Sequence, residues 1–264
     1  MINLFDYRQK LLRFNVLFLI ATPIGNLKDI TLRALETLKE CDYLLCEDTR
    51  RTRILLEHYQ LKIPLKSFHL FNEVSKENYV IEDLKNAKKI GLVSDAGTPG
   101  ISDPGERLVK RCHDERIDVI SIPGPCAAIA ALSTSGLGTE RFQFFGFLPK
   151  KKGKLSRTLE EILAYEGTTV CYESPYRIEG TLKIISTLNP ERECVVAREL
   201  TKKFETLMRG SAPSLLENFS QKKPKGEIVL LIAGIETKKS KRQSERRKAL
   251  LTKNGPIAHI KGYG

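Results

Sequence analysis

The sequence predicts an α/β protein in two parts, a parallel-sheet amino-terminal domain followed by a mixed-sheet carboxyl-terminal domain. Three observations carry this. Strand and helix signals alternate through the first half, as they must when parallel strands are joined by helical crossovers. After Gly136-Leu137-Gly138 the pattern changes to a mixture of hairpin-like and βα connections. Past Gly234 the hydrophobic patterning fades into a lysine- and arginine-rich end. The expected division is 1–138, 139–235 and a basic, flexible tail at 236–264.

Each element has its own reason. VLFLIAT (16–22) is an unbroken apolar run, the mark of a strand covered on both faces. Asn26 is placed to cap a helix in which Leu27, Ile30, Leu35 and Leu38 fall near helical spacing. DYLLCE (42–47) reads as the second strand, with a helix over 51–58. IPLKSFHL (63–70) reads as a third strand. A polar helix over 75–86 puts Tyr79, Val80 and Leu84 on one side. KIGLVS (89–94) and DVISIP (118–123) are the fourth and fifth strands, with ERLVKRCHDE helical between them. The second half opens with FQFFGF (142–147). It continues as a helix (156–166), TTVCYE (168–173), a helix (177–187), ECVVARE, a strand near 204–208 and GEIVLLIAG (226–234).

Composition narrows the chemistry. Six cysteines (41, 46, 112, 126, 171 and 194) form no C-x-x-C pair, which argues against a disulfide framework or zinc site and fits a reducing cytoplasm. The first residues imitate a signal peptide, but the apolar run is short and a Pro-Ile-Gly-Asn turn follows, so a buried first strand is expected. No run approaches the length that spans a bilayer. The net charge is +12, and the tail holds nine Lys/Arg against two Glu. Two further basic loops are PKKKGK (149–154) and QKKPKG (221–226). Such clusters suit a polyanion, with nucleic acid the default, or else a solvated surface. G-x-G-x-x-G after a strand, G-x-x-x-x-G-K-[ST], H-E-x-x-H and a glycine-flanked serine elbow are all missing. Hydride transfer, P-loop chemistry, metal hydrolysis and Ser-His-Asp catalysis therefore lack support, and no metal is expected.

Three irregular loops follow strands of the first half: TPIGN (22–26), SDAGTPGISDPG (94–105) and PGPCAAIAALSTSG (123–136). In a parallel sheet they emerge at the carboxyl edge, where ligands bind in open α/β folds. Glycines let backbone approach a ligand, and prolines stiffen the loops so that less entropy is lost on binding.

At this point a family resemblance emerges. LFLIATPIGNLKDITLRALETLKECDYLLCEDTRRTRILL (17–56) resembles the amino-terminal signature of the ribosomal RNA small subunit methyltransferase I family, a branch of the tetrapyrrole methylase superfamily. The likeness continues through SFHLFNE (67–73), SDAGTPGISDPG, IPGPCAAIAALSTSGL (122–137), FGFLPKKKGK (145–154), YESPYRI (172–178), FETLMRG (204–210) and KGEIVLLIAG (225–234). It implies a two-domain tetrapyrrole-methylase-like fold with the donor in the cleft between domains. It also implies a cytoplasmic homodimer that transfers a methyl group from S-adenosyl-L-methionine to a cytidine ribose 2′-hydroxyl in the decoding region of 16S rRNA.

The resemblance points to Gly97, Thr98, Pro99, Ile101 and Ser102 around the donor, with Asp95 at the head of their loop. Pro23 and Gly25 are expected nearby, and Ser133 and Thr134 to supply hydroxyls. Tyr172, Glu173 and Ser174, with Ala212 and Pro213, are expected to close the cleft from the second domain. A base that takes the hydroxyl proton must sit at a strand's carboxyl edge, which gives Glu47, Asp48, His69, Glu73, Asp95 and Glu173 as candidates. Three of them have a structural alternative on another element or partner: a helix cap for Asp48, a hydrogen-bonded packing role for His69, and a pair with Arg177 for Glu173. Asp95 alternatively anchors its own loop. Arg50, Arg51 and Arg53 would hold RNA phosphates, or else pair with Glu57 or remain solvated. Lys150, Lys151, Lys152 and Lys154 would extend the basic track.

Two rival functions remain at this stage: a methylase acting on a tetrapyrrole carbon, and a non-catalytic RNA-binding assembly factor. EDTR and YESPYR argue against the first, and the intact glycine and proline loops against the second. Cys126 stands where a small residue, serine, is expected.

Overall fold

A computed structural model describes residues 15–221 and 224–235. The expected tail (236–264) and two lysines of the 221–226 loop lie outside the described residues. Five parallel strands form the first sheet: β1 (Val16–Ile20), β2 (Tyr43–Cys46), β3 (Leu65–Ser67), β4 (Lys89–Val93) and β5 (Asp118–Ile122), in the order β3-β2-β4-β1-β5. Its helices are α1 (Leu32–Glu40), α2 (Thr49–His58), α3 (Glu73–Lys85) and α4 (Glu106–Asp114). The unbroken apolar run of β1 is explained by its two covered faces. Val16, Phe18 and Ile20 pack with Ala34, Leu38 and Leu56 from α1 and α2. Leu17 packs on the opposite face with Val80, Ile81, Leu84 and Leu108 from α3 and α4. Alternate residues of one strand thus serve two cores.

The second sheet contains β6 (Phe142–Phe147), β7 (Thr168–Glu173), β8 (Glu193–Arg198), β9 (Thr206–Ser211) and β10 (Ile228–Ile232). Its order is β6-β7-β10-β8-β9, parallel between β6 and β7 and antiparallel elsewhere, so it is mixed. Helices α6 (Lys152–Ala164), α7 (Ile178–Leu188) and α8 (Ala212–Gln221) cover one face through Leu159, Ile162, Leu182, Ile185 and Leu215. The other face is covered by α5 (Ala127–Ser135), whose Ala128, Ala131 and Leu132 meet Val170, Val195, Val229 and Leu231. Although α5 follows directly from β5, it packs on the second sheet and so fixes one sheet against the other.

Several local expectations need correction. Asn26 caps only a 3₁₀ turn, Leu27–Asp29, by accepting from the Lys28 N–H. Ile30 then turns extended, and Thr31 caps α1 by accepting from the Ala34 N–H at 3.1 Å. The segment 123–136 is mostly helix rather than irregular loop, because the alanine-rich run after Pro125 has the highest helix propensity available. The third strand is three residues long. Lys152 and Lys154 belong to the first turn of α6 rather than to a loop, and Lys151 sits at its N-cap.

Candidate functional site

The carboxyl edge of the parallel sheet is stitched before any ligand is considered. Thr22, after β1, and Gly97, after β4, exchange two backbone hydrogen bonds of 2.9 and 3.0 Å. The Thr22 hydroxyl donates to the Ser94 carbonyl, and the Ser94 hydroxyl to the Gly97 carbonyl. Thr98 Oγ1 reaches the Pro125 carbonyl after β5. Gly97 has φ +86°, a left-handed backbone that L side chains rarely adopt, so this junction favours glycine although a Cβ would meet Ile24 only at ordinary contact distance.

The mixed sheet faces this edge. The Asn26 N–H donates to Thr201 Oγ1 at 3.1 Å. On the other side, a Cβ on Gly146 (φ +64°) would stand 3.0 Å from Ser102 Oγ. Between these contacts lies a cavity of about 410 Å³, within the size range of small-ligand sites. Ile24, Cys126, Ala127, Ala197, Leu200 and Val229 make an apolar part of its wall, and Glu47, Asp95 and Asp103 supply carboxylates. A second cavity of about 220 Å³ adjoins it, sharing Ile24, Arg51 and Asp95.

The structure brings Glu47, Arg51, Asp95, Gly97, Thr98, Ile101, Ser102, Tyr172, Glu173 and Ser174 to the larger cavity. Pro23 and Gly25 line the smaller one. The remaining candidates line neither. Ser133 and Thr134 turn their hydroxyls back to the Ala130 carbonyl along α5. Ala212, the first residue of α8, is buried in the core, with Pro213 exposed beside it. Pro99 is buried within its own loop. Arg50, Arg53, Lys150, Lys151, Lys152 and Lys154 are exposed outside both cavities.

The base candidates separate by their hydrogen bonds. Asp48 caps α2 by accepting from the Arg50 N–H, and it receives the Arg50 guanidinium on both oxygens at 3.0 and 2.7 Å. The guanidinium bonds hold its pKa down at about 2. His69 meets Asn72 Nδ2 at 3.0 Å through Nε2 and lines neither cavity, while its buried Nδ1 has no partner among the described residues. Glu173 is fully committed. It accepts from the Ser174 N–H and the Thr181 hydroxyl, and Arg177 lies 3.4 Å away. Asp95 accepts from the Asp48 N–H and faces Arg51 Nε at 3.6 Å, so Arg51 pairs there and not with Glu57. Glu73 is buried and lines neither cavity, and only Glu47, among these candidates, lines the larger one with no hydrogen bond on its side chain among the described residues.

Asp103 was not singled out from the sequence, yet it has the unusual chemistry. Burial first, then the charges of Glu47 and Asp95, push its carboxyl up from 3.8 to about 6. A hint was present: the second aspartate of the glycine-rich loop is one more carboxylate at the strand edge. Burial also pushes the Tyr172 hydroxyl up to about 12, so that ring enters the cavity neutral.

The acidic part of the wall suits a cationic ligand, and the apolar part a flat aromatic group. Among the described residues no group of three or more His, Cys, Asp or Glu is placed to hold a metal ion, and no helix is long and apolar enough to cross a membrane. All six thiols are free, and only Cys126 is not fully buried.

Known proteins give the same direction. The model of the family described as Tetrapyrrole (Corrin/Porphyrin) Methylases matches residues 16–216. A Synechocystis protein named ribosomal RNA small subunit methyltransferase I is 47% identical over 220 residues, 83% of this chain and 79% of that one. A Thermotoga maritima protein of the same name is 44% identical over 220 residues, 83% of this chain and 99% of its own length. The solved structure of diphthine synthase superposes with a TM-score of 0.64 at 13% identity, covering 88% of this chain and 95% of that one, a likeness of fold alone.

Proposed function

Since the chain belongs to the tetrapyrrole methylase family, in the branch of the ribosomal RNA small subunit methyltransferase I proteins, we propose that it methylates small-subunit ribosomal RNA. In its finer form the proposal is transfer from S-adenosyl-L-methionine to the ribose 2′-hydroxyl of a cytidine in the decoding region of 16S rRNA. The observation that carries it is the cavity between the two sheets, apolar over one part of its wall and lined with carboxylates over another. That pairing fits a ligand joining a flat adenosine to a cationic sulfonium. When bound, such a donor supplies an electrophilic methyl group.

The chain's own residues then have distinct tasks. Ile24, Cys126, Ala127 and Val229 would shield the adenosine from water, and the loop of Gly97, tied to Thr22, would help hold it. Asp103 accepts the proton of the ribose hydroxyl. A pKa of about 6 leaves it ionised at neutral pH and still basic enough to help, a contribution of roughly 10²–10⁴ in rate. Glu47 and Asp95 keep that pKa raised. Glu173 is a strut for the wall, and Asp48 a cap. Arg50, Arg51 and Arg53 at the start of α2, with Lys150, Lys151, Lys152 and Lys154, contact phosphates. A cytoplasmic homodimer belongs to the same reading, and exposed Leu70, Phe71 and Val74 offer apolar surface for it. The boundary near residue 139 then divides the donor-edge half from the half that closes over it.

The test is transfer of labelled methyl from S-adenosyl-L-methionine to 30S subunits from cells lacking this protein, with the product mapped. A single methylated cytidine ribose is expected. Label on a tetrapyrrole precursor instead, or donor binding with no transfer, overturns the proposal.

A further inference from the structure

The mouth of the cavity carries aromatic surface that methyl transfer itself does not need. Strand β6 pairs in register with β7 until a bulge between Phe144 and Gly146 admits one extra residue. In a regular strand, Phe144 and Phe147 would point to opposite faces. The bulge re-aims the chain, so that both rings pack on Tyr172, with centroids 5.0 and 5.5 Å away. Phe147 thereby lines the cavity while remaining 63% exposed.

Tyr176 follows cavity-lining Pro175 and is 95% exposed. Its backbone is nevertheless fixed. The Tyr176 N–H donates to Ser174 Oγ, and the N–H groups of Arg177 and Ile178 donate to the Ser174 carbonyl. The Arg177 guanidinium donates to the carbonyls of Leu148 and Pro149 at 3.1 and 2.7 Å. One guanidinium therefore clamps the loop bearing Tyr176 to the segment that directly follows Phe147. Lys150, Lys151, Lys152 and Lys154 come next in the chain, all exposed.

Exposed rings on a rigid rim, beside a small-ligand cavity and followed by cations, match the chemistry of an unpaired nucleotide. A base offers a π-face to stack, and its backbone offers phosphates. We propose that Phe147 and Tyr176 form a stacking platform for bases of single-stranded or everted RNA, which delivers the target ribose to the cavity. This rests on the reading of the protein as an RNA methyltransferase and specifies the state of the RNA it takes. A duplex, its bases already stacked, would not use the platform.

The full chain is titrated with a fluorescein-labelled oligocytidylate and with the same strand annealed to its complement. Tyr176→Ala and Phe147→Ala are each expected to weaken single-strand binding at least about fivefold, with Tyr176→Phe within about twofold of the parent. Duplex binding is expected to stay unchanged, as is donor binding to the Tyr176→Ala protein by calorimetry, which also shows that this variant is folded. Parent-like single-strand binding by both alanine variants overturns the platform, as does equal loss for duplex, or no binding by the parent protein. Conversion of a dimeric parent to a monomer by Tyr176→Ala, with the RNA loss tracking it, would assign these rings to a second copy of the chain and also overturn it. The oligonucleotide assay needs no methyl transfer, so failure of the 30S reaction and failure of the platform are read separately.

Discussion

Replacing Asp103 with Asn is expected to slow transfer while making the protein more stable above about pH 6. In the folded chain, burial and the neighbouring Glu47 and Asp95 raise this carboxyl from 3.8 to about 6. The folded state therefore holds the proton more tightly than the unfolded state. The stability contributed by the neutral acid is fully present below 3.8 and is lost as pH rises through about 6. The rise corresponds to about 3 kcal/mol at 1.36 kcal/mol per pH unit, an upper figure because the residue is not fully buried. Asparagine has no proton to lose there. The stability difference between variant and parent should thus be smallest near pH 4 and grow by up to about 3 kcal/mol near pH 8. Urea unfolding of both proteins at those two pH values measures it, provided the slopes with denaturant agree. In the transfer assay, the parent rate should climb with pH and level off above about 6, and the variant should lose roughly 10²–10⁴ and that acid limb together. A stability difference independent of pH, or a variant with the parent's rate and acid limb, refutes the reasoning.

Other expectations follow from single contacts. Arg177→Ala leaves Glu173, whose side chain is 0% exposed, without its counter-ion. Urea unfolding should show a loss of about 3–5 kcal/mol, and an unchanged midpoint would contradict the pairing. Gly146→Ala places a Cβ 3.0 Å from Ser102 Oγ at a φ of +64°. A cost of about 1–2 kcal/mol in stability is expected from the left-handed backbone, with weaker donor binding by calorimetry because Ser102 at the cavity wall must shift. Exchanging Lys150, Lys151, Lys152 and Lys154 for Ala should flatten the dependence of log affinity on log salt for single-stranded RNA by as much as about 3, at about 0.7 per lost phosphate contact. An unchanged slope would place the RNA elsewhere.

How far the sequence could be read depended on the range of the interaction. Continuous apolar runs such as residues 16–22 report burial directly, so the parallel sheet and its helices were legible. So was the mixed second sheet, from its change of rhythm after Gly138. What failed was competition between nearby signals. Asn26 and Thr31 both suit a helix start, and only the structure shows that Ile30 breaks the chain between them. The alanines after Pro125 looked like part of a ligand loop, and they are a helix that glues the second sheet to the first. At the candidate site, the glycine- and proline-rich segments 22–26 and 94–103 could be placed at the strand edge because backbone geometry is local, whereas Ser133, Thr134, Ala212 and Pro213 line neither cavity. The raised pKa of Asp103 was not, since it arises from Glu47 and Asp95 arriving on other loops. The facing of Phe147 depends on one extra residue in β6, which alternation alone cannot reveal.

The reciprocal pair of hydrogen bonds between Thr22 and Gly97 ties two segments that lie 75 positions apart in the chain, within a parallel-sheet edge that also lines both cavities. The same bonds are counted twice, once in holding the fold and once in shaping what it receives. A substitution at this junction would lower melting temperature and ligand affinity in step, and no screen for tighter binding could move one without the other. Selection acting on this corner would see a single trait.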